Sequence, residues 1–172
     1  MLKIEKSRLN ELFNAISSDM PVYLPVKKEN SSEYGVYTDG VETALDELNT
    51  AKSPKDLFFP QSETLAHFKM EGKNLEIIAP EIKSEQFVVY GVRACDAKSF
   101  DILDKVFLSD PVDEFYAAKR NQSIIITAAC NEPEESCFCG VFGIDATVPG
   151  GDIASWEMGD NVYFKSETEK GA

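Results

Sequence analysis

Four cysteines, Cys95, Cys130, Cys137 and Cys139, are all the thiols of this 172-residue chain, and they fall within one short stretch. Cys95 lies in Gly91-Val92-Arg93-Ala94-Cys95-Asp96, directly after an apolar run. Cys130 closes the next apolar run, and Cys137-Phe138-Cys139-Gly140 follows in a polar loop. Four thiols able to reach one place are the minimum inventory of a closed four-thiolate metal or iron–sulfur site. The bland alternative is that Cys95 and Cys130 are small buried hydrophobes. It suits Cys137 and Cys139 less well, because their loop carries Glu132, Glu134 and Glu135 and little apolar surface to bury them. The spacing matches neither the paired C-x-x-C of zinc ribbons nor the C-x₂-C-x₂-C run of bacterial ferredoxins. Cys95 is expected at a helix N-terminus, where the dipole favours a thiolate.

Other chemistry has less support. His67 is the only histidine, so a Cys–His or Ser–His–Asp arrangement would need that one residue. It is placed on a helix, as a surface side chain rather than a ligand. Gly91 and Gly150-Gly151 make no dinucleotide or Walker loop. Glu132, Glu134 and Glu135 read as a solvated loop rather than as paired acids.

Strands and helices must bring the thiols together. Phe87–Val92 and Ile124–Ala129 are short runs rich in β-branched residues, the pattern of strands buried on both faces. Between them, Asp96 is placed to cap a helix reaching about Phe107, and Asp110-Pro111 begins a second helix through Asn121. Strand, helices, strand predicts a right-handed crossover joining parallel strands. Their carboxyl ends then share one sheet edge, where sites of open α/β folds collect. Cys95 and Cys130 leave the two strands at that edge, and the loop carrying Cys137 and Cys139 need only fold back over it.

The rest of the chain reads as follows. Ser7 caps an amphipathic helix to about Ser17. Val22–Val26 is a strand that Pro25 consigns to a sheet edge, and Tyr34–Tyr37 pairs with it. A helix is expected from Ser62 to about Met70 and a strand at Leu75–Ile78. Ile153–Met158 and Asn161–Lys165 form a C-terminal β-hairpin; residues 40–58 give no clear signal. The fold class is therefore α/β, with a mostly parallel central sheet, flanking helices and that hairpin.

Composition narrows the function classes. With 43% hydrophobic and 10% aromatic residues the chain is globular. Seventeen Lys and Arg against 30 Asp and Glu give a net charge of −13, which repels phosphate backbones and argues against nucleic-acid binding. No run is long and apolar enough for a membrane span. The first residues have no secretory signal, so a cytoplasmic, reducing setting is expected. Between Arg120 and Lys165 there is no Lys, Arg or His, whereas Glu132, Glu134, Glu135, Asp145, Asp152, Glu157 and Asp160 all lie there. Either this is a solvated acidic surface, or it is a negative field that lowers the potential of a cluster held by the thiols.

Four segments, in order, carry a resemblance: Phe58-Phe59-Pro60-Gln61-Ser62-Glu63, Gly91-Val92-Arg93-Ala94-Cys95-Asp96-Ala97, Phe115-Tyr116-Ala117-Ala118-Lys119-Arg120, and Cys130-Asn131-Glu132-Pro133 through Cys137-Phe138-Cys139-Gly140. Together they resemble the amino-terminal domain of the iron–sulfur beta subunits of cytosolic nickel–iron hydrogenases and sulfhydrogenases, and of the corresponding iron–sulfur subunits of anaerobic sulfite reductases. The similarity runs from about residue 55 to the end. It departs from the pattern at Ala94, where members often carry Pro, and at Ala129, where they often carry Asn. The resemblance implies a single domain, residues 1–172, of a longer electron-transfer subunit whose two-cluster ferredoxin-like part is absent from this chain. It implies a non-catalytic relay between a flavin-bearing partner and a catalytic partner. It also makes Cys95, Cys130, Cys137 and Cys139 candidate ligands of a [4Fe–4S] cluster. Two alternatives remain: a docking domain with structural zinc on the same thiols, and a thiol redox switch pairing Cys137 or Cys139 with Cys95.

Overall fold

The computed structural model describes residues 1–82 and 84–172. Its strands are β1 (Leu2–Glu5), β2 (Val22–Lys27), β3 (Ser32–Val36), β4 (His67–Glu71), β5 (Asn74–Ile78), β6 (Phe87–Val92), β7 (Ser123–Ala128), β8 (Ile153–Met158) and β9 (Asn161–Ser166). Seven of them form the main sheet, in the order β1-β9-β8-β7-β6-β2-β3. The four central strands β2, β6, β7 and β8 run parallel. The outer pairings β1–β9, β8–β9 and β2–β3 are antiparallel. The sheet is thus mixed, not mostly parallel. A chain that returns by a tight hairpin can only pair antiparallel, and β2–β3 and β8–β9 are made that way. The C-terminal hairpin, β8–β9, is present, but β8 also belongs to the parallel centre.

Helix α1 (Leu9–Ser17) covers one face of the sheet, and α2 (Ala94–Phe107) with α3 (Glu114–Gln122) covers the other. Strand β6, buried throughout, divides its side chains accordingly. Val88 and Tyr90 pack with Leu9 and Phe13, while Phe87 and Val89 pack with Phe58, Phe100 and Tyr116. A bulge at Gly91, φ +82°, interrupts the ladder between Tyr90 and Val92. The extra residue flips the alternation, so Val92 joins Phe87 and Val89 rather than Val88. A Cβ at Gly91 would stand 3.4 Å from the Pro25 Cδ, an ordinary contact. Pro25 sits in an interior strand instead of at the sheet edge. The β2–β6 ladder pairs only Val22 and Tyr23, ending before the residue without an N–H.

Several local expectations are corrected. His67–Glu71 is strand β4, not helix, and pairs with β5 in a separate two-stranded sheet. Gly72, φ +63°, supplies the turn between them, a signal masked by the helical spacing of the apolar residues. The first helix has Arg8 at its N-cap, and Ser7 lies in the preceding 3₁₀ turn. Asp96 does not cap α2: Arg93 holds that position, and Asp96 lies in the first turn. There its carboxylate accepts a 2.6 Å hydrogen bond from Ser53. Helix α3 begins at Glu114, later than Pro111, because the Asp113 carboxylate caps it by accepting the Tyr116 N–H at 2.9 Å. The crossover β6–α2–α3–β7 joins parallel strands as expected.

Candidate cysteine site

The parallel centre delivers Cys95 and Cys130 to one edge. Cys95 stands in the first turn of α2, just past β6, and Cys130 lies shortly beyond β7. The segment 129–152, between β7 and β8, contains no helix longer than a 3₁₀ turn, Cys139–Phe142. Backbone bonds tie this segment at both ends. Cys130 donates its N–H to Ala146 O at 3.0 Å, and Asp152 donates to Ile125 O at 2.9 Å. The buried Asp152 carboxylate accepts the Ile125 N–H at 2.9 Å and the Thr168 hydroxyl at 2.9 Å. Inside the loop, Glu134 donates its N–H to Cys137 Sγ at 3.4 Å, and Ile144 donates to Cys139 O at 3.1 Å.

So folded, the loop turns Cys137 and Cys139 back toward Cys95. The three cysteines line one cavity of about 140 Å³, together with Phe138, Phe142 and Ile144. Cys130 does not line that cavity; it opens onto a neighbouring one of about 360 Å³ shared with Arg93. Cys139 and Cys137 nevertheless lie near enough to Cys130 to help raise its pKa. The two lobes of the site are therefore adjacent.

Cys95 and Cys130 both have their pKa raised, which favours the neutral thiol. Burial, then Asp96 and then Cys139, push Cys95 up to about 11, although part of the residue remains in solvent. The backbone hydrogen bond at Asp96 pulls the other way but is outweighed. Cys95 does stand in the first turn of α2, as expected, but desolvation and the carboxylate beside it oppose the dipole there. Burial also raises Cys130, opposed chiefly by the Arg93 cation.

Arg93 and the segment 45–50 belong to the site, and the sequence reading does not include them. The Arg93 guanidinium donates to Glu47 O at 3.0 Å, to Leu45 O at 3.4 Å and to Ala129 O at 3.4 Å. It thereby ties the 45–50 segment, chiefly through Glu47 O, to the end of β6, with the longer contact to Ala129 O beside Cys130. Asn49 Nδ2 then donates to Glu134 at 2.6 Å, clamping the same segment to the cysteine loop. The one available signal is Arg93 itself, a cation directly ahead of Ala94-Cys95. His67, in contrast, is exposed on β4 and lines none of the cavities that the cysteines line.

Four sulfurs would suit a soft metal or an iron–sulfur cluster chemically. Tetrahedral zinc with Zn–S near 2.3 Å requires sulfurs about 3.8 Å apart. Among the described residues, no group of three or more His, Cys, Asp or Glu side chains is gathered to hold one metal ion.

Comparison with known proteins gives one informative similarity. The chain is 30% identical over 170 residues to sulfhydrogenase 2 subunit beta of Pyrococcus furiosus. The alignment takes in 99% of this chain and 49% of that protein, so the chain spans about half the length of the curated relative it matches. No family model matches the chain. No solved structure matches it either. Among the described residues, no helix is long and apolar enough to cross a membrane.

Proposed function

We propose that this chain is a domain of an electron-transfer subunit in a multisubunit oxidoreductase of hydrogenase or anaerobic sulfite-reductase type, with Cys95, Cys130, Cys137 and Cys139 holding a [4Fe–4S] cluster. Its partners in such a complex would be the flavin-bearing and catalytic subunits, in the cytoplasm. One observation carries the reading: Cys95, after β6, and the Cys137/Cys139 pair, far later in the chain, line the same cavity. The similarity to a sulfhydrogenase beta chain over nearly the whole length supports it independently.

A cluster bound there would accept and release single electrons; the chain makes and breaks no substrate bond. The protein's own residues set its surroundings. Phe138, Phe142 and Ile144 limit water on the cavity side. Exposed Glu132, Glu134, Glu135 and Asp145 disfavour added negative charge and so lower the potential. Arg93, beside Cys130, opposes them. Four-thiolate loading makes the protonated thiols of the metal-free chain give up protons, so binding releases protons and strengthens with pH.

Iron, acid-labile sulfide and zinc analysis of anaerobically purified protein tests the proposal. Iron and sulfide in equal amounts, with visible absorption, are expected. Cys95→Ser and Cys139→Ser should each lose them, and His67→Ala should retain them. Stoichiometric zinc without sulfide would replace the relay by a structural metal domain, and a protein without metal would remove both.

A further inference from the structure

The loop that carries Cys137 and Cys139 also exposes a concentration of apolar surface. Phe138, Val141, Phe142 and Val148 are 63%, 82%, 67% and 65% exposed. Scattered exposed apolar residues are ordinary, but several large ones in a short segment mark an interaction site. The rings of Phe138 and Phe142 lie 5.7 Å apart and support one another. Both also line the cavity shared by Cys95, Cys137 and Cys139.

The charge around this surface is one-sided. Glu132, Glu134, Glu135 and Asp145 are exposed in the same loop, and the sequence from 121 to 164 contains no basic residue to offset them. Arg93 is turned inward onto three backbone carbonyls. Lys98, which borders the loop near Val148, is paired with Asp101 at 2.9 Å.

We propose that Phe138, Val141, Phe142 and Val148 form the docking face for a protein partner that presents basic side chains around an apolar centre. An aromatic centre inside a charged rim is the anatomy of a specific but transient interface. The acidic rim steers the basic partner, and the apolar centre sets how long it stays. The inference rests on the relay reading for its purpose, since it puts the partner directly over the thiols, but its test does not depend on a cluster.

The probe is a c-type cytochrome with lysines around an exposed apolar haem edge, titrated into the ¹⁵N-labelled, anaerobically purified chain. Amide shifts are expected to concentrate within residues 134–148 at low salt, about 20 mM, and to shrink as screening sets in. The pair Phe138→Ser and Phe142→Ser should weaken binding about tenfold or more at every salt concentration. Because both rings also line the cysteine cavity, Val141→Ser, at an 82% exposed position outside it, is the deciding variant and should weaken binding at every salt concentration. Glu134→Lys with Glu135→Lys should weaken binding mainly at low salt and flatten its salt dependence. No binding at low salt would overturn the proposal. So would shifts centred on the exposed β4–β5 hairpin, or a Val141 or Phe138/Phe142 variant that binds like the parent. Iron and sulfide assayed on the same sample judge the relay separately: docking without metal removes the relay alone, and metal without docking removes this proposal alone.

Discussion

Replacing Arg93 by Met keeps most of the aliphatic stem and removes the guanidinium that joins the 45–50 segment to the end of β6. The hydrogen bond to Glu47 O, at 3.0 Å, has ordinary length; those to Leu45 O and Ala129 O, both 3.4 Å, lie past the usual range and count for little. One good bond from a charged donor contributes about 1.5–3 kcal/mol. The freed loop carbonyls can rehydrate, so a loss of about 2 kcal/mol is expected, or about 4–8 °C in Tm for a chain of this size. Urea unfolding of the metal-free protein measures it, and Arg93→Lys should recover part of the loss because Lys keeps the charge but not the fork. A second readout is local. Without Arg93, amides of residues 45–50 and 130–137 should exchange faster than those of β6, since the clamp through Asn49 and Glu134 would lose its support. A variant within about 0.5 kcal/mol of the parent, with unchanged exchange in these loops, would refute the assignment of Arg93 as the pin of the site.

The remaining predictions concern thiol chemistry and the sheet. With Cys95 pushed up from 9.0 to about 11, its thiolate fraction at pH 8 is about a hundredfold below that of an unperturbed cysteine. Pulsed alkylation of the metal-free protein, read by mass spectrometry, should find Cys95 slow at pH 8 and about tenfold faster for each pH unit up to about 10. Rapid modification at pH 8 would contradict the raised pKa assigned to it. Gly151→Ala should cost about 3 kcal/mol by urea unfolding, combining a positive-φ penalty with a clash. The φ there is +77°, and a Cβ would lie 2.5 Å from Thr127 Cγ2. Val89→Asp puts a charge at a fully buried position of β6 and should cost more than about 4 kcal/mol, abolishing near-ultraviolet circular dichroism.

Residue types and local order alone establish the thiol inventory, the acidic segment around it, the buried strands β6 and β7 and the crossover between them. Those are short-range signals: apolar runs, side-chain chemistry and the rule that a helical crossover returns parallel. They suffice to put Cys95 and Cys130 on one edge. Every feature whose partner is remote in the chain had to wait for folding. Strand β1 exists because Leu2–Glu5 finds β9 at the far end of the sequence. Pro25 is tolerated in an interior strand because the β2–β6 ladder stops at Tyr23, before the residue without an N–H. His67 is in a strand because Gly72 turns the chain onto Asn74–Ile78, against the helical spacing of its neighbours. Cys95 is a poor acid for a related reason: a helix N-terminus is visible in the sequence, whereas burial and the approach of Cys139 are not. Arg93 reads as an ordinary cation until folding brings the Leu45, Glu47 and Ala129 carbonyls around it, because a backbone carbonyl leaves no trace in residue type.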